Sequence, residues 1–260
     1  MKVIVIPPKH KYDCIANHFI EGLYDNGIDV IASDLGNSVR TAYSDDEILE
    51  HSKDADFIFY VFGKGLSGKE YLIEQMNKPE ITAYIDGSEW TYTGQLDSPT
   101  QEKEAKINPS RHRGVPWVHE KMYNFCRWYF KSACYPEDAE RGIIPFSVGC
   151  ENKYFETYDS IDSCKKKIDV FISFGNMGTG STGLRKELVN LFKGGYKNTS
   201  CIITGGSGPG KLGSRQGDMS PNEYYKTIME SYVVPSAWGG MLWSMREWEV
   251  LASGTLCFMQ

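Results

Sequence analysis

Apolar and polar positions in the first half of the chain follow two alternating rhythms. Lys2 to Ile6 is an unbroken β-branched run closed by Pro7-Pro8, the pattern of a strand buried on both faces of a parallel sheet. Ile15, Phe19 and Leu23 then recur every fourth residue, which predicts a helix, and Asn26-Gly27 stops it before the next apolar run, Asp29 to Ala32. The alternation continues with a helix from about Asp45 to His51, a strand at Asp56 to Phe62, a helix around Lys69 to Met76 and a strand at Ile81 to Ile85. Strands alternating with helices imply parallel pairing and right-handed crossovers.

From Thr93 to Val115 the periodicity disappears. The segment holds Pro99, Pro109 and the basic Arg111-His112-Arg113, which reads as a long excursion from the sheet. An aromatic-rich stretch from about Trp117 to Ala133 is predicted helical, and Gly142 to Phe146 reads as a short strand followed by an exit.

A second α/β series begins after the polar stretch Glu151 to Lys167. The boundary is therefore expected near residue 155, with domains at residues 1–155 and 156–260. Strand Ile168 to Phe174 and strand Cys201 to Thr204 each run into a glycine-rich loop. Helices follow at Leu184 to Phe192 and Pro221 to Met229, then a strand at Tyr232 to Val234, a helix near Trp243 to Ala252 and a last strand, Thr255 to Met259. The expected fold class is α/β with two Rossmann-like lobes, each on a parallel sheet. Because the series ends on a strand, the second lobe reads as short or truncated.

Composition narrows the function classes. With 41% hydrophobic and 24% charged residues, 260 residues can build two cores. A net charge of −6 repels a phosphate polymer, so nucleic acid is not the expected partner. Seven scattered cysteines without a C-x-x-C pair read as reduced thiols of a cytoplasmic protein, and no zinc-ligand spacing accompanies them. No run is long enough to span a bilayer, so no integral membrane segment is expected.

Three glycine-rich segments carry candidate chemistry. Gly178, Gly180 and Gly183 form a G-x-G-x-x-G between a strand and a helix, where backbone N–H groups can meet a pyrophosphate. No acidic residue ends the next strand to hold a ribose, which argues against a nicotinamide cofactor. Gly205 to Lys211 matches the first seven positions of a P-loop, but Leu212 stands where a magnesium-binding Ser or Thr belongs. The third segment opens with Gly239-Gly240 and enters a helix bearing Ser244, Arg246 and Glu249. Arg246 and Glu249 are three residues apart on one face, suited to a diphosphate and to ribose hydroxyls respectively. An exposed ion pair is the alternative reading of these two.

The order of these pieces is similar to the donor-binding end of GT-B glycosyltransferases: the Tyr-bearing helix from Ser220, a strand ending at Pro235, the Gly-Gly turn, R-x-x-E at Arg246 and Glu249, and A-S-G-T at Ala252 to Thr255. It resembles most closely the group-1-like branch with the spore-maturation CgeB-type and exostosin-like enzymes. NFCRWYFK at Asn124 to Lys131 resembles that branch's aromatic helix, and GIIPFSVG at Gly142 to Gly149 its inter-domain hinge. The resemblance implies a metal-independent hexosyltransferase-like enzyme with no cofactor, whose co-substrate is a nucleotide-diphospho-sugar of UDP or GDP type. Donor ligands would be Gly178, Gly180, Gly183, Arg185, Gly239, Gly240, Ser244, Arg246 and Glu249.

The acceptor, a glycan or other molecule, is expected against the first lobe, near His10 and Glu89. Asp86 is the candidate base, although Asp-Gly is equally a common turn pair. A non-catalytic nucleotide- or glycan-binding module derived from such an enzyme, and a P-loop or dinucleotide-binding enzyme, remain alternatives.

Overall fold

The computed structural model describes residues 1–8, 13–34, 36, 38–62, 68–87, 119–132, 134, 136–147, 149–174, 187–192, 199–203, 220–236 and 245–259. The chain divides into two compact units, Met1–Gly149 and Cys150–Gln260.

The first unit is a parallel sheet with helices on both faces. Its elements run β1 (Lys2–Ile6), α1 (Cys14–Asp25), β2 (Asp29–Ala32), α2 (Asp45–Ser52), β3 (Phe57–Phe62), α3 (Glu70–Met76), β4 (Thr82–Asp86), α4 (Glu120–Phe125), β5 (Trp128–Lys131), α5 (Pro136–Glu140) and β6 (Ile143–Pro145). The sheet has 6 strands in the order β2-β1-β3-β4-β5-β6. Every pairing is parallel.

Register explains how the two faces are filled, because residues paired across parallel strands project to the same side. Tyr60 pairs with Tyr84 and Tyr84 with Tyr129. Together with Ile4, Ile58 and Ile143 they are buried against Ile48 of α2, Leu72, Ile73 and Met76 of α3, and Met122 of α4. On the opposite face α1 covers the sheet, with Phe19 lying 4.7 Å from Phe59 and 6.4 Å from Phe146 between ring centroids. Asp13 caps α1 by accepting from the backbone N–H groups of Ile15 and Ala16. A capping box between Ser44 and Glu47 starts α2.

One predicted element is corrected. The stretch expected as a single helix from Trp117 to Ala133 is helical only at Glu120–Phe125 among its described residues, and Trp128–Lys131 is a strand. The helix ends because Cys126 is extended and the Arg127 N–H donates to the carbonyls of Pro79 and Thr82 at the foot of β4. Trp128-Tyr129-Phe130-Lys131 then alternates between the two covered faces of the sheet, with Tyr129 and Lys131 buried. Bulky aromatics suit such a surface, and tertiary pairing outweighs helical propensity there.

The second unit contains α6 (Asn152–Asp159), β7 (Ile168–Phe174), β8 (Thr199–Ile203), α7 (Pro221–Met229), β9 (Ser231–Ser236), α8 (Met245–Ala252) and β10 (Leu256–Met259). Residues 187–192 are also helical. The 4-stranded sheet has the order β10-β9-β7-β8, again parallel throughout. Counted from its own first strand this is second, first, third, fourth, the same order as the start of the first sheet. Both units are therefore Rossmann-like.

One face of the second sheet packs Phe171 and Val234 against Tyr154, Tyr158, Tyr224, Ile228 and Val250 from three helices. The other packs Val170 and Ile172 against Leu188, Val189 and Phe192. Ser220 and Glu223 form a capping box at the start of α7, with Pro221 in its first turn. Among the described residues no helix is long and apolar enough to cross a membrane.

Candidate functional site

In open parallel sheets ligands sit beyond the carboxyl ends of the strands. In the second unit that edge is reached by β9, which ends at Ser236, and by α8, the next described element. Ser236 is buried, and its hydroxyl donates to Oε1 of Glu247, itself buried on α8. One position earlier in α8, Arg246 is half-buried, with Nη1 out of solvent.

Glu249 is only 9% exposed. Its Oε2 accepts a hydrogen bond from the Tyr224 hydroxyl at 3.2 Å, and its backbone carbonyl accepts from the Tyr158 hydroxyl at 2.8 Å. Glu249 is therefore a buried carboxylate, and the exposed ion-pair reading of Arg246 and Glu249 does not describe it. Burial pushes the Tyr224 phenol up, the Arg246 charge opposes that shift, and the Glu249 carboxylate adds to it. Burial also pushes the Cys257 thiol up to about 11, with Glu247 adding and Arg246 opposing. Carboxylates and a guanidinium thus crowd one turn of α8 in low-dielectric surroundings, where each needs a partner or a ligand.

The first unit carries its own polar cluster at the carboxyl ends of β4 and β5. Asp86, the last residue of β4, is fully buried, and its Oδ2 accepts from the Tyr129 hydroxyl at 3.0 Å. The Tyr129 oxygen in turn accepts from the His119 backbone N–H at 3.0 Å. Because that N–H occupies the oxygen, the phenol proton is directed to Asp86. Burial and then the Asp86 charge push both Tyr129 and Tyr84 upward.

Lys131 pairs in register with Asp86, so the two project from the same face of the sheet. Lys131 forms an ion pair with Asp138 at 3.8 Å, both wholly buried. Asp86 is thus a strand-end carboxylate in a buried hydrogen-bonded cluster.

Of the residues singled out by sequence, Asp86, Arg246 and Glu249 are described. His10, Glu89, Gly178, Gly180, Gly183, Arg185, Gly239, Gly240 and Ser244 lie outside the described residues, as does the P-loop-like segment Gly205 to Lys211. Sequence reasoning missed Tyr224, Ser236 and Glu247 in the second unit, and Tyr129, Lys131 and Asp138 in the first. Lys131 had a usable signal: a charged residue ending an alternating aromatic strand lies on the same face as Tyr129. Among the described residues no group of three His, Cys, Asp or Glu side chains is placed to hold a metal ion.

No family model matches the chain, and no curated protein matches it at a significant level. Among solved structures the chain is similar to a provisionally designated UDP-N-acetylglucosamine 2-epimerase from Listeria monocytogenes. The two share 9% identity with a TM-score of 0.46, over 100% of this chain and 78% of the other.

Proposed function

We propose that the chain is a metal-independent glycosyltransferase that binds a UDP- or GDP-type nucleotide-diphospho-sugar in its second unit. The observation that carries this reading is Glu249. It is a buried carboxylate on the helix that follows β9, one turn from Arg246 and held by Tyr224. A burial of that kind is costly unless the group is hydrogen-bonded or used, and a carboxylate can accept from two vicinal hydroxyls of a ribose. Arg246 supplies the cation that a diphosphate needs, and its fixed charge would stabilise the leaving nucleotide.

In the first unit Asp86 is the proposed base toward an acceptor hydroxyl. It ends β4 at the carboxyl edge of the sheet, already aimed by Tyr129. A base must come within hydrogen-bond reach of the proton it removes, so the role requires acceptor binding to open a path to this buried carboxylate.

The test is calorimetric titration of the full chain with UDP and with GDP, beside the double variant Arg246→Ala, Glu249→Ala. Loss of charged hydrogen bonds should weaken binding on the order of 10- to 100-fold. Equal affinity in the two proteins overturns the reading. Donor-sugar hydrolysis by the wild-type chain separates an enzyme from a binding module, since a module binds without releasing sugar.

A further inference from the structure

We propose that Tyr224 is a positioning residue for nucleotide recognition, holding one oxygen of the Glu249 carboxylate so that the rest of that carboxylate is presented to the 2′- and 3′-hydroxyls of a ribose. The inference rests on the reading of Glu249 as the ribose ligand. It adds a substrate preference: the site takes ribonucleotides over 2′-deoxyribonucleotides.

Several independent contacts fix the donor. Tyr224 is 4% exposed and sits on α7, whose amino terminus is set by the Ser220–Glu223 capping box. Its ring lies edge-on to Phe171 of β7, 5.9 Å between centroids, and edge-on to Tyr225 at 5.3 Å. A ring clamped in this way has little rotamer freedom left to lose when a ligand arrives. Burial keeps the phenol protonated across the physiological range, so it remains a donor.

Glu249 is anchored from two helices, its side chain by Tyr224 of α7 and its carbonyl by Tyr158 of α6. A carboxylate offers about four acceptor positions, and one of them is taken by Tyr224. Among the described residues no second donor reaches this carboxylate. The remaining capacity, held in one orientation, matches the two parallel donors of a vicinal diol. A site built to accept from a hydroxyl rejects the analogue lacking it, because a buried acceptor is then left unpaired.

A Tyr–Glu bond that only supports the fold makes a different prediction, since its loss would weaken all nucleotides alike. The experiment is calorimetric titration of the full chain with UDP, 2′-deoxy-UDP, GDP and 2′-deoxy-GDP, comparing wild type with Tyr224→Phe. The wild type should prefer the ribose forms. Tyr224→Phe should lose about tenfold for the ribose forms and little for the deoxy forms, so that the preference collapses.

If Tyr224→Phe does not fold, Tyr224→Met removes the same hydroxyl with a more adaptable side chain and carries the same expectation. A ribose-to-deoxyribose ratio unchanged from wild type in a folded variant overturns the positioning role. A folded wild type that binds none of the four nucleotides, or binds ribose and deoxyribose forms equally, overturns the reading of Glu249 itself. The two failures are thereby told apart.

Discussion

The Tyr129 hydroxyl donates to Oδ2 of Asp86 at 3.0 Å, while its own oxygen receives the His119 N–H. Two neighbouring strands and the start of α4 are thus tied together through the Tyr129 hydroxyl. In Tyr129→Phe the buried carboxylate loses a donor and the His119 N–H loses an acceptor, a loss of about 1–3 kcal/mol. Urea unfolding should show a lower midpoint with an unchanged slope. Asp86→Asn keeps an acceptor for Tyr129 but cannot take a proton. If Asp86 is the base, sugar transfer should fall roughly 10²- to 10⁴-fold in that variant while its melting temperature stays near wild type. Full transfer by Asp86→Asn would remove Asp86 from the reaction.

Lys131 and Asp138 are both fully enclosed, and their 3.8 Å separation makes each the counter-charge of the other. Lys131→Met leaves Asp138 buried without that cation and should destabilise the first unit by about 3–5 kcal/mol. The double variant Lys131→Met, Asp138→Leu removes both charges and should recover most of the loss. Chemical denaturation of the wild type, the two single variants and the double variant forms a complete cycle. A double variant no more stable than the worse single one would contradict the pairing.

His18, on α1, has its pKa lowered to about 4 by burial, against an ordinary value of 6.5. Between those two values the unfolded chain binds the proton and the folded chain does not, so acid favours unfolding. The His18 contribution is fully present above about pH 6.5 and is lost as the pH falls toward 4. His18→Phe should flatten the stability-versus-pH curve across that window and leave the curve above pH 7 parallel to wild type. Urea titrations at half-unit pH steps would show it, and an unaltered slope would remove His18 as its source.

Much of the architecture was legible as pattern. The β-branched run at Lys2–Ile6 and the mixed aromatic and β-branched runs at Phe57–Phe62 and Ile168–Phe174 became central or near-central parallel strands, because only a doubly covered sheet tolerates apolar side chains on both sides of a strand. The helices expected from about Asp45 and from Pro221 begin there, each started by a capping box, a local device within four residues of chain. For NFCRWYFK the local signal failed: its second half was drawn into pairing beside Thr82–Asp86, a partner far away in sequence.

Single candidate residues stood out in the sequence, and their partners did not. Asp86, Arg246 and Glu249 could be singled out by residue type and position relative to a strand or helix. That Glu249 meets Tyr224, 25 residues away, and that Asp86 meets Tyr129, 43 residues away, was decided by the packing of helices on sheets. Periodicity states which face of an element is buried, because that depends on a few neighbouring residues. Which polar atoms share that buried face depends on strand order and register, and those emerge only when the whole sheet closes its hydrogen bonds.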